Sequence, residues 1–274
     1  MARQFTRSYT HDHVVNADGT VDFQCSTDRK EWPWLALGPH HPITVQAQNF
    51  WTSVGAILAL GGMEEGQWSA LTWTDWICGA PGVGDGVRGH YKREESGETE
   101  RYVITLFDEA SREIVRMRGR GVVFRNRDFE KWRSKAKRAA RANAPDPAFE
   151  YVGREVLGIG PGEHPVIGAI QASDTPFVDA LITPENGLPP ANRVLSGSGD
   201  HVNSVHIIEA ARQALCLFRG NPAMTIAGGE MELNRYVELG TPFRLYLETD
   251  GPGDYRLRLD QMDRPCANIV MRLG

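Results

Sequence analysis

The chain has 274 residues, enough for two ordinary domains or for one duplicated domain around a large shared core. At 41% hydrophobic and 24% charged, it has the composition of a soluble globular protein. Its net charge of −5 argues against a general nucleic-acid binder, for which a basic domain is expected.

Taken in order, residues 20–25 read as a strand before a loop rich in Trp and Pro (Glu31-Trp-Pro-Trp-Leu). A helix is expected over roughly 44–61, ended by Gly61-Gly62. Strands are expected at 67–78, 87–95, 100–108 and 113–124, with hairpins around Glu94–Gly97 and Phe107–Ser111. The loop Gly79–Gly86 is glycine-rich, but no Lys-Ser/Thr follows it, so it reads as a hairpin loop and not a P-loop. Residues 127–149 form a basic stretch (Arg127, Lys131, Arg133, Lys135, Lys137, Arg138, Arg141) closed by Ala144-Pro-Asp-Pro147. It reads as a linker between 1–126 and 150–274, or as a dock for an acidic carrier or for coenzyme A phosphates. Beyond it come Gly158-Ile-Gly-Pro-Gly162, an apolar segment, the loop Pro184–Pro190, a helix over 201–218, and strands at 224–238, 242–250, 254–261 and 266–273.

The two halves repeat. His41–Ser53 lies 160 positions before His201–Gln213, and at that offset Val45 meets Val205, Asn49 meets Glu209 and Ser53 meets Gln213. Leu71–Ile77 falls on Met231–Val237 with apolar residues at every second position. Such repeats outrank other signals in fixing a fold. A long helix followed by several strands, twice over, predicts an α+β fold in which each helix is wrapped by an antiparallel sheet.

Glu209 is the most informative residue. It stands among Val205, Ile207, Ile208, Ala210, Ala211, Leu215 and Leu217 on an otherwise apolar helix. Desolvation there favours the neutral carboxyl, which suits a proton donor or acceptor. The plain alternative is an Asp200 N-cap on a core helix, with Glu209 paired to an Arg. Gln213, four residues on, is placed to orient Glu209, and His206, three residues before, shares its face. Arg212 is expected to pair with a carboxylate or a helix end. Ser196-Gly-Ser198 lacks the G-x-S-x-G form of a nucleophile elbow. The four cysteines, Cys25, Cys78, Cys216 and Cys266, show no ligand or disulfide spacing. With no apolar signal region and no run of about 18 apolar residues, no membrane span is expected, and a cytoplasmic protein is the default. Most of the seven tryptophans are expected in the core, some lining an acyl tunnel.

The run Asp200-His-Val-x-x-x-x-Ile-Ile-Glu-Ala-Ala-Arg-Gln-Ala214 resembles the hallmark helix of the A-factor biosynthesis family, the γ-butyrolactone synthases, and Met231–Pro242 resembles the strand and turn that follow it. The resemblance covers about 200–250. It departs from the pattern at Asn203-Ser204, where Pro-Gly is typical, and at Asn49–Ser53, where the first repeat typically carries Glu-x-x-Arg-Gln. It implies a double hotdog: two helix-in-sheet units in one chain, acting on acyl thioesters of coenzyme A or an acyl carrier protein, with no metal and no cofactor. In such a fold the acid of one half is expected to face the other half. His41, His40 or His201 would then supply a base or a donor, and Asn49 an amide to the thioester carbonyl. Glu209, His41 and His201 are the expected catalytic residues, and His40, Asn49, His206 and Gln213 the expected substrate contacts. The expected reaction is loss or addition of water at the β-carbon. A β-ketoacyl transferase, a thioesterase and a non-catalytic protein that holds a hydrophobic ligand are the alternatives. A monomer or homodimer is expected.

Overall fold

The computed structural model describes residues 8–62, 68–96, 99–124, 133–135, 137–138, 149–160, 163–183, 186, 201–251 and 253–274. The chain divides into two units, Met1–Asn126 and Arg127–Gly274.

The first unit opens with a hairpin, β1 (Thr10–Val15) and β2 (Val21–Cys25), then a 3-10 turn (Pro33–Leu37) and α1 (Pro42–Ala59). Pro at the first helical position presets φ, and the extended His41 is the N-cap, its Nδ1 accepting from the Ile43 N–H at 3.3 Å. β3 (Trp68–Cys78), β4 (Arg88–Ser96), β5 (Thr99–Phe107) and β6 (Glu113–Phe124) follow. The strands pair antiparallel in the order β1-β2-β4-β5-β6-β3. α1 packs on β1, β2, β4 and β5. Alternation sets the faces: Val115, Met117 and Gly119 of β6 are buried, while Arg116 and Arg118 are exposed. Gly119 is required, because a Cβ there would lie 2.1 Å from the Tyr102 ring. Trp32, Trp34 and Trp51 are buried with Tyr9, with centroids 5.0 Å apart for Trp32–Trp51 and for Tyr9–Trp34. These rings, with Trp76, are core.

The second unit contains α2 (Arg154–Leu157), β7 (Ile167–Gln171), β8 (Phe177–Ala180), β9 (His201–Val202) and α3 (Ser204–Arg219). Then come β10 (Ile226–Leu233), β11 (Val237–Glu238), β12 (Phe243–Asp250), β13 (Asp254–Gln261) and β14 (Arg264–Leu273). Its strands run β10-β14-β13-β12-β8-β7, again antiparallel, with β9 and β11 forming a separate ribbon. Listed from the other edge, the first unit reads β3-β6-β5-β4-β2-β1, the same order strand for strand. The topology thus repeats as the 160-residue offset predicts. α3 buries Val205, Ile207, Ile208, Ala210, Ala211, Ala214 and Leu215. At about 1.5–3 kcal/mol for each large aliphatic side chain, this face is a main source of the unit's stability. Within 127–149 the described residues include helical Ser134, and Arg133, whose guanidinium is buried with Glu238 (2.6 and 2.9 Å) over the Tyr236 ring.

Several expectations need correction. The second helix starts at Ser204, because Asn203 caps it and His201-Val202 are drawn into the ribbon with Val237-Glu238. The same pairing splits the expected strand 224–238 in two. Gly79–Gly86 is a crossover, since β3 pairs with β6 while β4 pairs with β2 and β5. β1 was not expected: it is an edge strand with an irregular register and mostly exposed residues, so it shows no alternation. Asp200, Ser196–Ser198, Pro184–Glu185, Gly187–Pro190, Trp132 and most of 127–149 lie outside the described residues.

Candidate functional site

In the second unit one set of buried polar groups surrounds the Arg212 guanidinium. α3 presents Glu209, Arg212 and Gln213 on one face, all 5% exposed or less. Arg212 grips Glu209 with its fork, Nε to Oε2 at 2.9 Å and Nη2 to Oε1 at 2.7 Å. Gln213 Nε2 donates to the same Glu209 Oε1 at 2.8 Å and to the His164 carbonyl at 2.9 Å, while its Oε1 accepts from the Val166 N–H at 2.9 Å. Gln213 therefore ties the acid to the segment leading into β7.

That segment carries a second acid, Glu163, which is 7% exposed. α2 ends at Gly158 in the left-handed region (φ +62°), where a Cβ would lie 1.9 Å from the Pro222 carbonyl oxygen. The chain then turns so that the Gly160 N–H donates to Glu163 Oε2 at 2.6 Å and the Glu163 N–H donates back to the Gly160 carbonyl at 3.0 Å. Arg212 Nη2 lies 3.6 Å from Glu163 Oε1, and its Nη1 donates to the Leu157 carbonyl at 3.5 Å. Two carboxylates thus share one cation. Burial, reinforced by the charge of Glu209, pushes the Glu163 carboxyl above its usual range, although the Gly160 N–H, Arg212 and Arg154 oppose this. Arg212 is held above its usual value by Glu209, although burial alone would lower it. The arrangement suits storage of one proton on one of two carboxyls.

The other candidates are held as follows within their own units. His206 is buried at the start of α3 and completes a capping box: its Nδ1 accepts from the Asn203 N–H at 3.3 Å, and Asn203 Oδ1 accepts from the His206 and Val205 N–H groups. Burial, with the nearby His201, pushes the His206 ring down to about 3. His201 lies in β9, edge-on to Tyr236 at 4.6 Å. In the first unit, His40 Nε2 donates to the Ile114 carbonyl at 3.0 Å, and burial lowers its ring below the usual value. His41 caps α1. Asn49 is buried on α1; its Nδ2 donates to Thr74 Oγ1 at 3.0 Å and its Oδ1 accepts from the Tyr102 hydroxyl at 3.1 Å. The structure brings together Glu209, Gln213 and Arg212, and adds Glu163, which sequence reasoning missed. Its only signal was an acid closing the glycine-rich Gly158–Gly162 immediately before an apolar run.

Similarity in solved structures decides the fold. A fusion DH domain matches with a TM-score of 0.54 at 12% identity, covering 100% of this chain and 94% of that one. An acyl-ACP thioesterase from Bacteroides thetaiotaomicron matches with a TM-score of 0.52 at 12% identity, covering 93% of this chain and 97% of that one. Each unit is a hotdog. At such identities the likeness is one of fold, and the double hotdog implied by the sequence resemblance is present. No protein-family model and no curated protein matches the chain. Among the described residues, no helix of the double hotdog is long and apolar enough to cross a membrane. Cys25, Cys216 and Cys266 are buried thiols, and burial pushes Cys25 and Cys78 up to about 12.

Proposed function

We propose that the protein is a cytoplasmic double-hotdog enzyme acting on an acyl thioester of coenzyme A or an acyl carrier protein, removing or adding water at the β-carbon. The observation that carries this reading is the buried pair of carboxylates around Arg212. Burial raises the proton affinity of Glu163, and a carboxyl held above its usual range is what general acid catalysis requires. A carboxylic acid of the second unit protonates the departing β-hydroxyl, and His41, the proposed acceptor, takes the α-proton. Solved structures with the same fold include an acyl-ACP thioesterase and a fusion DH domain, which supports a thioester substrate.

The test is incubation with a panel of 3-hydroxyacyl and 3-oxoacyl thioesters of pantetheine, followed by mass spectrometry. Loss of 18 mass units (the mass of water) from the hydroxyacyl compounds is expected; acyl transfer to a small alcohol would favour the A-factor-type transferase instead, and release of free acid a thioesterase. One observation favours a non-catalytic reading: both Glu209 oxygens are held by Arg212. On that reading the hotdog interior holds a hydrophobic ligand, and no thioester in the panel would be altered.

A further inference from the structure

We infer that the outer face of the first unit's sheet, centred on Arg118, docks an acidic carrier protein that delivers the thioester. The inference rests on the acyl-thioester reading above and names the carrier and the surface that receives it.

Alternation along β6 turns Val115, Met117 and Gly119 inward and Arg116, Arg118 and Arg120 outward. Residues two apart on a strand are about 6.5–7 Å from each other, so the three arginines are rooted in a row. The register carries the row sideways. Thr105 and Val103 of β5 lie opposite Arg116 and Arg118, and beyond them on β4 come His90 and Lys92. On the other side, Arg116, Arg118 and Arg120 pair with Ile77, Asp75 and Trp73 of β3. Arg101 of β5 joins the set, its guanidinium 4.7 Å over the Trp73 ring.

These cations are only partly neutralised. Glu113 holds Arg116 at 2.7 Å, and Glu94 holds Lys92 at 2.5 Å. Asp75 stands in register with Arg118. Among the described residues, Arg101, Arg118 and Arg120 make no ion pair. The face keeps an excess of positive charge on a chain whose net charge is −5. The repeat supplies a contrast. In the second unit Arg244 is matched by Asp179 at 3.1 Å, Arg258 by Glu248 at 2.8 Å and by Asp260, and Arg272 by Glu230 at 4.0 Å. The fold itself does not call for unmatched arginines on this face, so the excess in the first unit is left to serve a partner.

The neighbours of the row select a protein over a bare polyanion. Ile77 (58% exposed) and Val122 (43% exposed) lie on the same face. Arginine beside exposed aliphatic surface suits a protein interface, whereas a phosphate backbone gives aliphatic groups nothing to pack on. The face is also small, about 15 Å across four strands spaced about 4.8 Å apart. That width suits one helix of a compact domain. Carboxylates one turn apart on a helix repeat about every 5–6 Å, close to the step of the arginine row. A carrier must arrive and leave in every catalytic cycle, and a small charged contact speeds encounter without prolonging the complex.

The experiment has two arms. In the first, the same 3-hydroxyacyl group is offered on an acidic acyl carrier protein, on coenzyme A and on pantetheine. Arg118→Glu should raise KM for the carrier-bound substrate about tenfold or more, and leave kcat and the other two substrates unchanged. Arg118→Gln, which removes the charge without reversing it, should give a smaller rise. Added salt should raise the same KM in the unaltered protein. Arg256→Glu, at an exposed position of the second unit, changes net charge equally and should affect none of the three. Equal losses on all substrates, an equal loss in Arg256→Glu, or normal KM for the carrier in folded Arg118→Glu overturns the inference. A loss shared by the carrier and coenzyme A alone would make the face a phosphate site and also overturns it. The second arm needs no turnover: 15N-labelled carrier protein is titrated with the enzyme by NMR. Saturable shift changes that weaken in Arg118→Glu are expected. Absence of binding, or binding of a short DNA duplex in place of the carrier, overturns the inference. If no thioester is processed while the carrier still binds through Arg118, the chemistry proposed above falls and the docking face stands.

Discussion

Glu209 illustrates what a single residue discloses in a sequence. An acid on an apolar helix is visible as an anomaly, and its two readings, proton carrier or ion-pair partner, were both legible. The choice between them depends on Arg212 and on Glu163, a residue 46 positions earlier that no helical spacing connects to it. The three are energetically coupled. Removing Glu209 alone leaves a buried guanidinium that Glu163, 3.6 Å away, can partly neutralise. Removing both acids leaves Arg212 uncompensated, a defect of about 3–5 kcal/mol in other buried pairs. Glu163→Gln/Glu209→Gln is therefore expected to lose more stability than the two single variants added together, in denaturant titration at neutral pH. Additive losses would separate Glu163 from Arg212.

His206 gives a second test at this scale. Its folded-state value of about 3 lies below the ordinary 6.5, so the unfolded chain binds the proton more tightly. Its contribution is fully present above about 6.5 and fades as pH falls toward 3, by up to about 1.4 kcal/mol per pH unit. The physical event is loss of the Nδ1 acceptor that holds the Asn203 N–H. Melting temperature should fall less steeply between pH 6 and 4 (roughly the window set by these values) in His206→Gln, which cannot titrate. An unchanged slope would mean that other groups control acid unfolding.

At the scale of elements, alternation and turn chemistry placed β2 to β6 and β12 to β14 within a residue or two, because half-buried strands show their faces in the sequence. β1 was missed for want of alternation, and the remaining misses come from partners distant in sequence. β9 and β11 are two residues each and exist by pairing with each other. The boundary of α3 followed from that pairing, since a residue committed to a ribbon cannot also begin a helix. The ribbon has a further support in Arg133, whose guanidinium forms a buried bidentate pair with Glu238 of β11. Arg133→Ala should therefore destabilise the protein by about 3 kcal/mol or more, as loss of one buried partner does, whereas Lys135→Ala, at an exposed position, should be nearly neutral. Comparable melting temperatures for the two variants would show that the 127–149 stretch acts only as a tether.

For the whole molecule, the repeat was legible because the offset of 160 preserved period as well as residue type, and the two strand orders now agree. What the repeat does not preserve is the acid. Asn49 stands where Glu209 does, and its amide is engaged at both ends by Thr74 and Tyr102. On the proposed reading, His41→Ala should reduce turnover strongly, and the double variant with Glu209→Gln should be scarcely worse than either alone. Multiplicative losses would place the two in separate steps. Light scattering is expected to give a monomer or homodimer; a stable hexamer would contradict the view that duplication satisfies the pairing of single hotdogs.

The strand order also bears on how the chain is made. In the first unit β1 to β6 pair among themselves entirely between Thr10 and Phe124, and β6 is both the last strand synthesised and the one that joins β5 to β3. The sheet can close as soon as Phe124 has cleared the ribosome, while the second unit is still being translated. Domains generally fold in this vectorial order. Until β6 arrives, however, β3 is held on neither side by a strand of its own unit. A pause in translation before residue 113 would thus expose the nascent chain longest along Trp68–Cys78, making this segment the point where aggregation during synthesis would begin.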